Sequence, residues 1–204
     1  MMNKALLVDY INFDVTAEQI NESIKENNGR LIVSGVLQRA NAKNHNGRIY
    51  PKQVLMREAE KYAGTQIKER RALGELDHPE SSVVNLNNVS HNIAEVFWRG
   101  DDLCGKVEVL DTPSGKILKE LFQAGIKLGI SSRGLGSVKE MNEEGPESTV
   151  EVQPDFELIC WDFVSNPSTH GAFMNPVNES AGSKTPVSKY SNVNRIITDI
   201  LRGK

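Results

Sequence analysis

One glycine-rich run, Lys127-Leu128-Gly129-Ile130-Ser131-Ser132-Arg133-Gly134-Leu135-Gly136, constrains this chain more than any other stretch. Apolar residues between its glycines make Leu128 to Met141 read as a glycine-bent strand. That strand carries a serine pair with an arginine beside it. A second stretch, Ala72-Leu73-Gly74-Glu75-Leu76-Asp77-His78-Pro79, holds a histidine flanked by carboxylates. Pro79 pushes His78 toward an extended conformation, so the histidine falls at a strand end or in a turn. A histidine near a serine hydroxyl is the minimum apparatus for acyl transfer.

The remaining segments are strand-rich. Ala5 to Val8 reads as a short strand. Thr16 caps a helix whose apolar positions Ala17, Ile20 and Ile24 recur at helical spacing, and Gly29 stops it. Arg30 to Leu37 is a β-branched strand broken by Gly35. An asparagine-rich loop from Asn41 to Tyr50 follows. Pro51 suits a first helical position, with Val54, Leu55, Ala59 and Tyr62 as the buried stripe up to Gly64. Pro79 to Asn88 reads as a surface loop. Val89 to Trp98 and Leu103 to Leu110 form a hairpin turning at Arg99-Gly100-Asp101-Asp102. Asp111-Thr112-Pro113-Ser114 opens a helix lined by Ile117, Leu118, Leu121 and Phe122 and ended by Gly125. Strand continues from Val150 to Val164. Within its apolar run Asp162 is costly to bury unless paired; an outward-facing strand position is the alternative. A polar linker from Asn178 to Ser188 precedes a terminal amphipathic helix bearing Val193, Ile196, Ile197, Ile200 and Leu201.

Bulk properties exclude several classes. The 204 residues suffice for one domain with a real core, with appended tails. A net charge of -3 gives no electrostatic case for nucleic acid. Cys104 and Cys160 sit in apolar, strand-like runs, which points to buried free thiols in a reducing compartment. The apolar N-terminal stretch is too short for a signal peptide, and no run approaches the roughly 20 apolar residues of a membrane helix. A soluble intracellular protein without membrane contact is expected. His45, His78, His91 and His170 show no ligand spacing with each other or the cysteines, so no metal or other cofactor is expected.

Motif tests narrow the chemistry. Arg133 stands where an esterase elbow needs its second glycine, and the strands do not alternate with helices, so an α/β-hydrolase is disfavoured. Gly134-Leu135-Gly136 lacks the third glycine of a dinucleotide loop, because position 139 is lysine.

The combination resembles the prohead core proteases of T4-type tailed phages. The resemblance rests on Gly74, Glu75, Leu76, His78 and Pro79 and on the block Gly129 to Ser137. Asn46-Gly47-Arg48-Ile49-Tyr50-Pro51, Trp98 to Asp102, Asp162-Phe163-Val164 and Pro167-Ser168 support it. It covers about residues 30 to 176. It implies an α+β, mainly β fold: a herpesvirus-protease-like β-barrel surrounded by helices, with residues 1–176 as the protease domain, 177–189 as linker and 190–204 as terminal helix. It also implies a serine endopeptidase acting inside the immature capsid, in the host cytoplasm. Its substrates would be scaffold and core proteins, the capsid protein's N-terminal segment and itself. A homo-oligomer is expected.

By motif match His78 is the base and Ser131 the nucleophile, with Ser132 facing the other way along the strand. Asp162 is nominated to orient the imidazole. Glu75, Asp77 and His170 are the alternatives; strand alternation turns Glu75 and Asp77 away from His78. Backbone N–H groups around Arg133 and Gly134 are the proposed oxyanion donors, glycine permitting close substrate approach. The family's preference for cleavage after glutamate marks Glu179 as a self-cleavage site. The competing readings are a non-catalytic scaffold protein with a degenerate protease fold and an unrelated esterase.

Overall fold

The computed structural model describes residues 4–13, 16–77, 79, 81–141 and 149–165. His78, His170, Glu179, the linker and the terminal helix lie outside these residues. The described residues fall within one unit spanning 1–170.

The elements follow local chemistry. Strand β1 runs Ala5–Phe13 and helix α1 runs Ala17–Glu26. Thr16 and Gln19 form a reciprocal capping box at the start of α1, and Gly29, at φ 87°, ends the turn after it. Strand β2, Leu31–Arg39, passes through Gly35 unbroken; its irregularity is a register shift between Val36 and Gln38. Gly35 faces Gly105 across the ladder, and a side chain at Gly105 would strike Leu37, so glycine here permits close packing rather than a break.

The asparagine-rich segment contains a two-residue strand, β3 (Arg48–Ile49), which pairs in parallel with β9 (Thr149–Val152). Helix α2, Lys52–Tyr62, buries Val54, Leu55, Ala59 and Tyr62, as its periodicity requires, and continues past Gly64 as a π-turn over Ala63–Ile67. Strand β4 is short, Leu73–Glu75. Strands β5 (Val89–Arg99) and β6 (Asp102–Val109) form the expected hairpin. Helix α3, Pro113–Gln123, is capped by Thr112 and buries Leu118 and Phe122, whereas Ile117 is 55% exposed. The expected buried face of α3 was thus one position too wide. Strands β7 (Leu128–Gly136), β8 (Val138–Met141) and β10 (Glu157–Val164) complete the fold.

Three sheets result, ordered β1-β7-β10, β2-β6-β5-β4 and β3-β9-β8. The mainly β, α+β class holds. A closed barrel does not form among the described residues. Edge strands β1 and β2 pack side by side without ladder pairing, and Asn46 Nδ2 and Arg48 Nη1 take the Val8 carbonyl. At the other side one bridge, Leu76 to Phe163, joins β4 to β10. The main core gathers Ile20, Leu55, Ile93, Val107, Leu118, Ile130, Trp161 and Phe163 from the β1-β7-β10 and β2-β6-β5-β4 sheets and from α1, α2 and α3. Both cysteines are buried free thiols.

Candidate active site

Ser131 lies near the middle of β7, the central strand of its sheet, so its position is fixed by pairing on both sides. Asp162 on β10 is its direct cross-strand partner. Side chains alternate along a strand, and paired residues share a face. Ser131, Arg133 and Asp162 therefore occupy one face of the sheet. Ser132 occupies the other, where its Oγ donates to the Asp9 carbonyl at 3.1 Å. The two serines thus differ as alternation requires. Ser132 ties β1 to β7, while Ser131 Oγ, 1% exposed, has no hydrogen-bond partner among the described residues.

The Asn46–Tyr50 motif belongs to the Ser132 side. Asn46 Nδ2 and Arg48 Nη1 reach Asp9 Oδ1 at 2.8 and 3.1 Å, and the Tyr50 hydroxyl donates to Asp9 Oδ2. This clamp ties β1 to the segment at 46–50. It gives a structural reason for a motif that carries no chemistry of its own.

A buried ion cluster fills the Ser131 face. The Arg133 guanidinium, 0% exposed, donates through Nη2 to Glu75 Oε1 at 2.8 Å and Asp162 Oδ1 at 3.1 Å. Its Nε lies 3.0 Å from Asp162 Oδ2, and its Nη1 donates to the Ser81 carbonyl at 2.8 Å. Asp162 Oδ1 also accepts the Glu75 N–H at 2.9 Å. Glu75 Oε1 accepts the Asn85 N–H at 3.0 Å, and Glu75 Oε2 is buried without a partner among the described residues.

Burial works against the Arg133 charge, and the carboxylates of Asp162 and Glu75 oppose it, so its pKa is raised. Burial also pushes the Asp162 carboxyl up, opposed by the Glu75 N–H, Arg133 and Cys160. The Cys160 thiol is raised by burial and by Asp162, so it stays protonated and unreactive.

Two features hold Gly74 and Asp77 beside this cluster. Gly74 lets β4 cross β10 closely: a Cβ there would sit 2.0 Å from the Trp161 carbonyl and 2.3 Å from His91 Nε2. Asp77 then adopts a left-handed conformation, φ 64°, and its N–H donates to the Phe163 carbonyl at 2.8 Å. Residues 77 and 81, on either side of 78–80, are both held by the two strands bearing Ser131 and Asp162. Glu75 is central to this cluster, because the Arg133 guanidinium reaches it from β7.

The expected oxyanion donors, Arg133 and Gly134, lie within the ladders of β7. Arg133 pairs with Val8 and Cys160, and Gly134 with Leu7 and Leu158. A central strand spends its N–H groups on such ladders. A Cβ at Gly134 would meet the Phe156 ring at 2.5 Å and the Glu157 carbonyl at 2.7 Å, so close packing by itself requires glycine there.

Composition gave no sign of His91. It is fully buried, donates from Nε2 to the Trp161 carbonyl at 2.9 Å and lies 2.9 Å from Ser90 Oγ through Nδ1. Burial lowers its pKa to about 4, so it is neutral near pH 7 and braces β5 against β10. No group of acidic, histidine or cysteine residues among those described is arranged to hold a metal ion. No described helix is long and apolar enough to cross a membrane.

Residues 6–182 match the family model described as prohead core protein serine protease. This chain belongs to that family and is a serine protease. The match includes β1, so the resemblance reaches further toward the N-terminus than the motifs suggested. The prohead core protein protease of Enterobacteria phage T4 is 33% identical over 168 residues, 78% of this chain and 75% of that protein. The solved structure of the bacteriophage T4 capsid assembly protease superposes with a TM-score of 0.68 at 26% identity, covering 80% of this chain and 99% of that one. The chain is accordingly a prohead maturation protease.

Proposed function

We propose that Ser131 is the nucleophile and His78 the general base of an endopeptidase that matures the prohead from within. The observation that carries this reading is the Ser131 Oγ, without a partner among the described residues, on a strand that holds residue 81 while its neighbour β10 holds residue 77. In the reaction Ser131 Oγ attacks the scissile carbonyl as His78 takes its proton. The imidazolium then protonates the leaving amine, and water, deprotonated by the same histidine, releases the acyl-enzyme.

The third member in this reading is the ion cluster. Two carboxylates, Asp162 and Glu75, share one guanidinium, leaving a formal charge of -1 behind Ser131. That charge favours the imidazolium. Asp162 spends both oxygens within the cluster, so Glu75 Oε2 is its free acceptor. With Ser131 only 1% exposed, substrate reaches it after local opening of the surrounding chain. Val83 and Leu86, 71% and 72% exposed, follow Ser81, whose carbonyl Arg133 binds, and offer an apolar surface to an incoming chain.

The substrates follow from the family: scaffold and core proteins, the capsid protein's N-terminal segment, and the enzyme's own tail after Glu179. The fold, related to the herpesvirus maturation protease, would act as a homo-oligomer inside the assembling prohead. Ser131→Ala and His78→Ala should each abolish cleavage of the cognate scaffold or capsid protein while the variants stay folded. Retained cleavage in either would sink the assignment.

A further inference from the structure

We infer that Arg133 is a positioning residue for the catalytic histidine, holding the loop at 77–85 to the strand that carries the nucleophile. This rests on the assignment of His78 and Ser131 above. Arg133 sits two residues from Ser131 on the same face of β7. Its guanidinium reaches both arms of the loop. Nη2 binds Glu75, on the arm entering it, and Nη1 binds the Ser81 carbonyl, on the arm leaving it. Glu75 in turn receives the Asn85 N–H, and Asp162 receives the Glu75 N–H. Residues 78–80 are thus spanned by contacts converging on one side chain.

A fork with several fixed donors suits this task in a way an ammonium does not. It binds two carboxylates and a carbonyl at once, in one plane. An apolar residue would stabilise such a buried site as well or better, since desolvating an ion cluster is costly. The cost is explained if the cluster sets geometry. Arg133 touches neither the attacking oxygen nor, in this reading, the substrate. It acts through His78.

The test is a double-mutant cycle on the full chain, read by peptide cleavage and by the rate at which a fluorophosphonate labels Ser131. Arg133→Lys keeps the charge and loses the fork. If a small displacement of the base costs about 100-fold, Arg133→Lys should lower kcat and the labelling rate by about that factor. KM should stay within about threefold, and the variant should remain cooperatively folded. In a His78→Ala background, the residual labelling rate should change less than about threefold on adding Arg133→Lys, because the residue acts through a group already removed.

Equal fractional losses in both backgrounds would overturn the inference, as would wild-type rates in Arg133→Lys or a loss confined to KM. Should Arg133→Lys fail to fold, Arg133→Gln, which keeps an N–H donor but not the fork, is read by the same criteria. Full-rate labelling in His78→Ala alone would sink the catalytic reading and this inference with it. A slow His78→Ala with additive losses would overturn only the role of Arg133.

Discussion

Asp162 lies directly across from Ser131 in the antiparallel pairing of β10 with β7. The carboxylate and the hydroxyl share a face, yet the carboxylate is bound to Arg133 and the Glu75 N–H while the hydroxyl is bound to nothing described. A buried hydroxyl without a partner contributes no stability. It is costly to keep unless chemistry requires it.

The two adjacent serines should therefore respond oppositely to removal. Ser131→Ala discards a hydroxyl that no described residue satisfies and should melt at or above the wild-type temperature. Ser132→Ala loses its bond to the Asp9 carbonyl and should cost about 1 kcal/mol. Thermal unfolding of both variants checks this; equal destabilisation would refute the distinction.

His91 should make stability fall in mild acid. Its folded pKa, about 4, lies below the ordinary 6.5, so the unfolded chain binds the proton more readily. Its contribution is complete above pH 6.5, is lost as pH falls toward 4, and changes no further below that. At about 1.4 kcal/mol per pH unit, the full loss is about 3 kcal/mol. Urea unfolding of wild type and His91→Gln across this range should show a steeper loss for the wild type. Parallel curves would exclude His91 as the source.

Glycines of similar appearance should behave differently. Gly134→Ala drives a methyl into the Phe156 ring and the Glu157 carbonyl and should cost about 1–3 kcal/mol or more. Gly64, in the π-turn after α2, has nothing within 4 Å of an added Cβ. Gly64→Ala should be neutral or stabilise by up to about 1 kcal/mol. Denaturant midpoints of the two variants decide this.

Active enzyme should shorten its own C-terminus after Glu179. Intact mass spectrometry should show loss of residues 180–204 in the wild type, and none in Ser131→Ala or Glu179→Gln. An uncut tail in active enzyme would exclude this site.

Much of the architecture was legible in residue order. Thr16, Gly29, Thr112 and Gly125 mark helix ends by local chemistry, and the β5–β6 hairpin follows from alternation around Gly100. What failed was non-local. Ile117 matches the helical period of α3, but the width of the buried face depends on what packs against it. The parallel pairing of Arg48–Ile49 with β9 is invisible in so short a segment.

By itself the sequence determined the family, the opposed faces of Ser131 and Ser132, and the strand carrying them, because alternation and motif length are local properties. The ion cluster was decided by tertiary structure. Glu75, Arg133 and Asp162 come from three strands distant along the chain, and nothing in their spacing says that one guanidinium spans two carboxylates. Among the described residues no ladder joins β1 to β2, and the Val8 carbonyl is instead taken by the Asn46 and Arg48 side chains. Such closure is a competition among partners, and only the folded chain brings the competitors together.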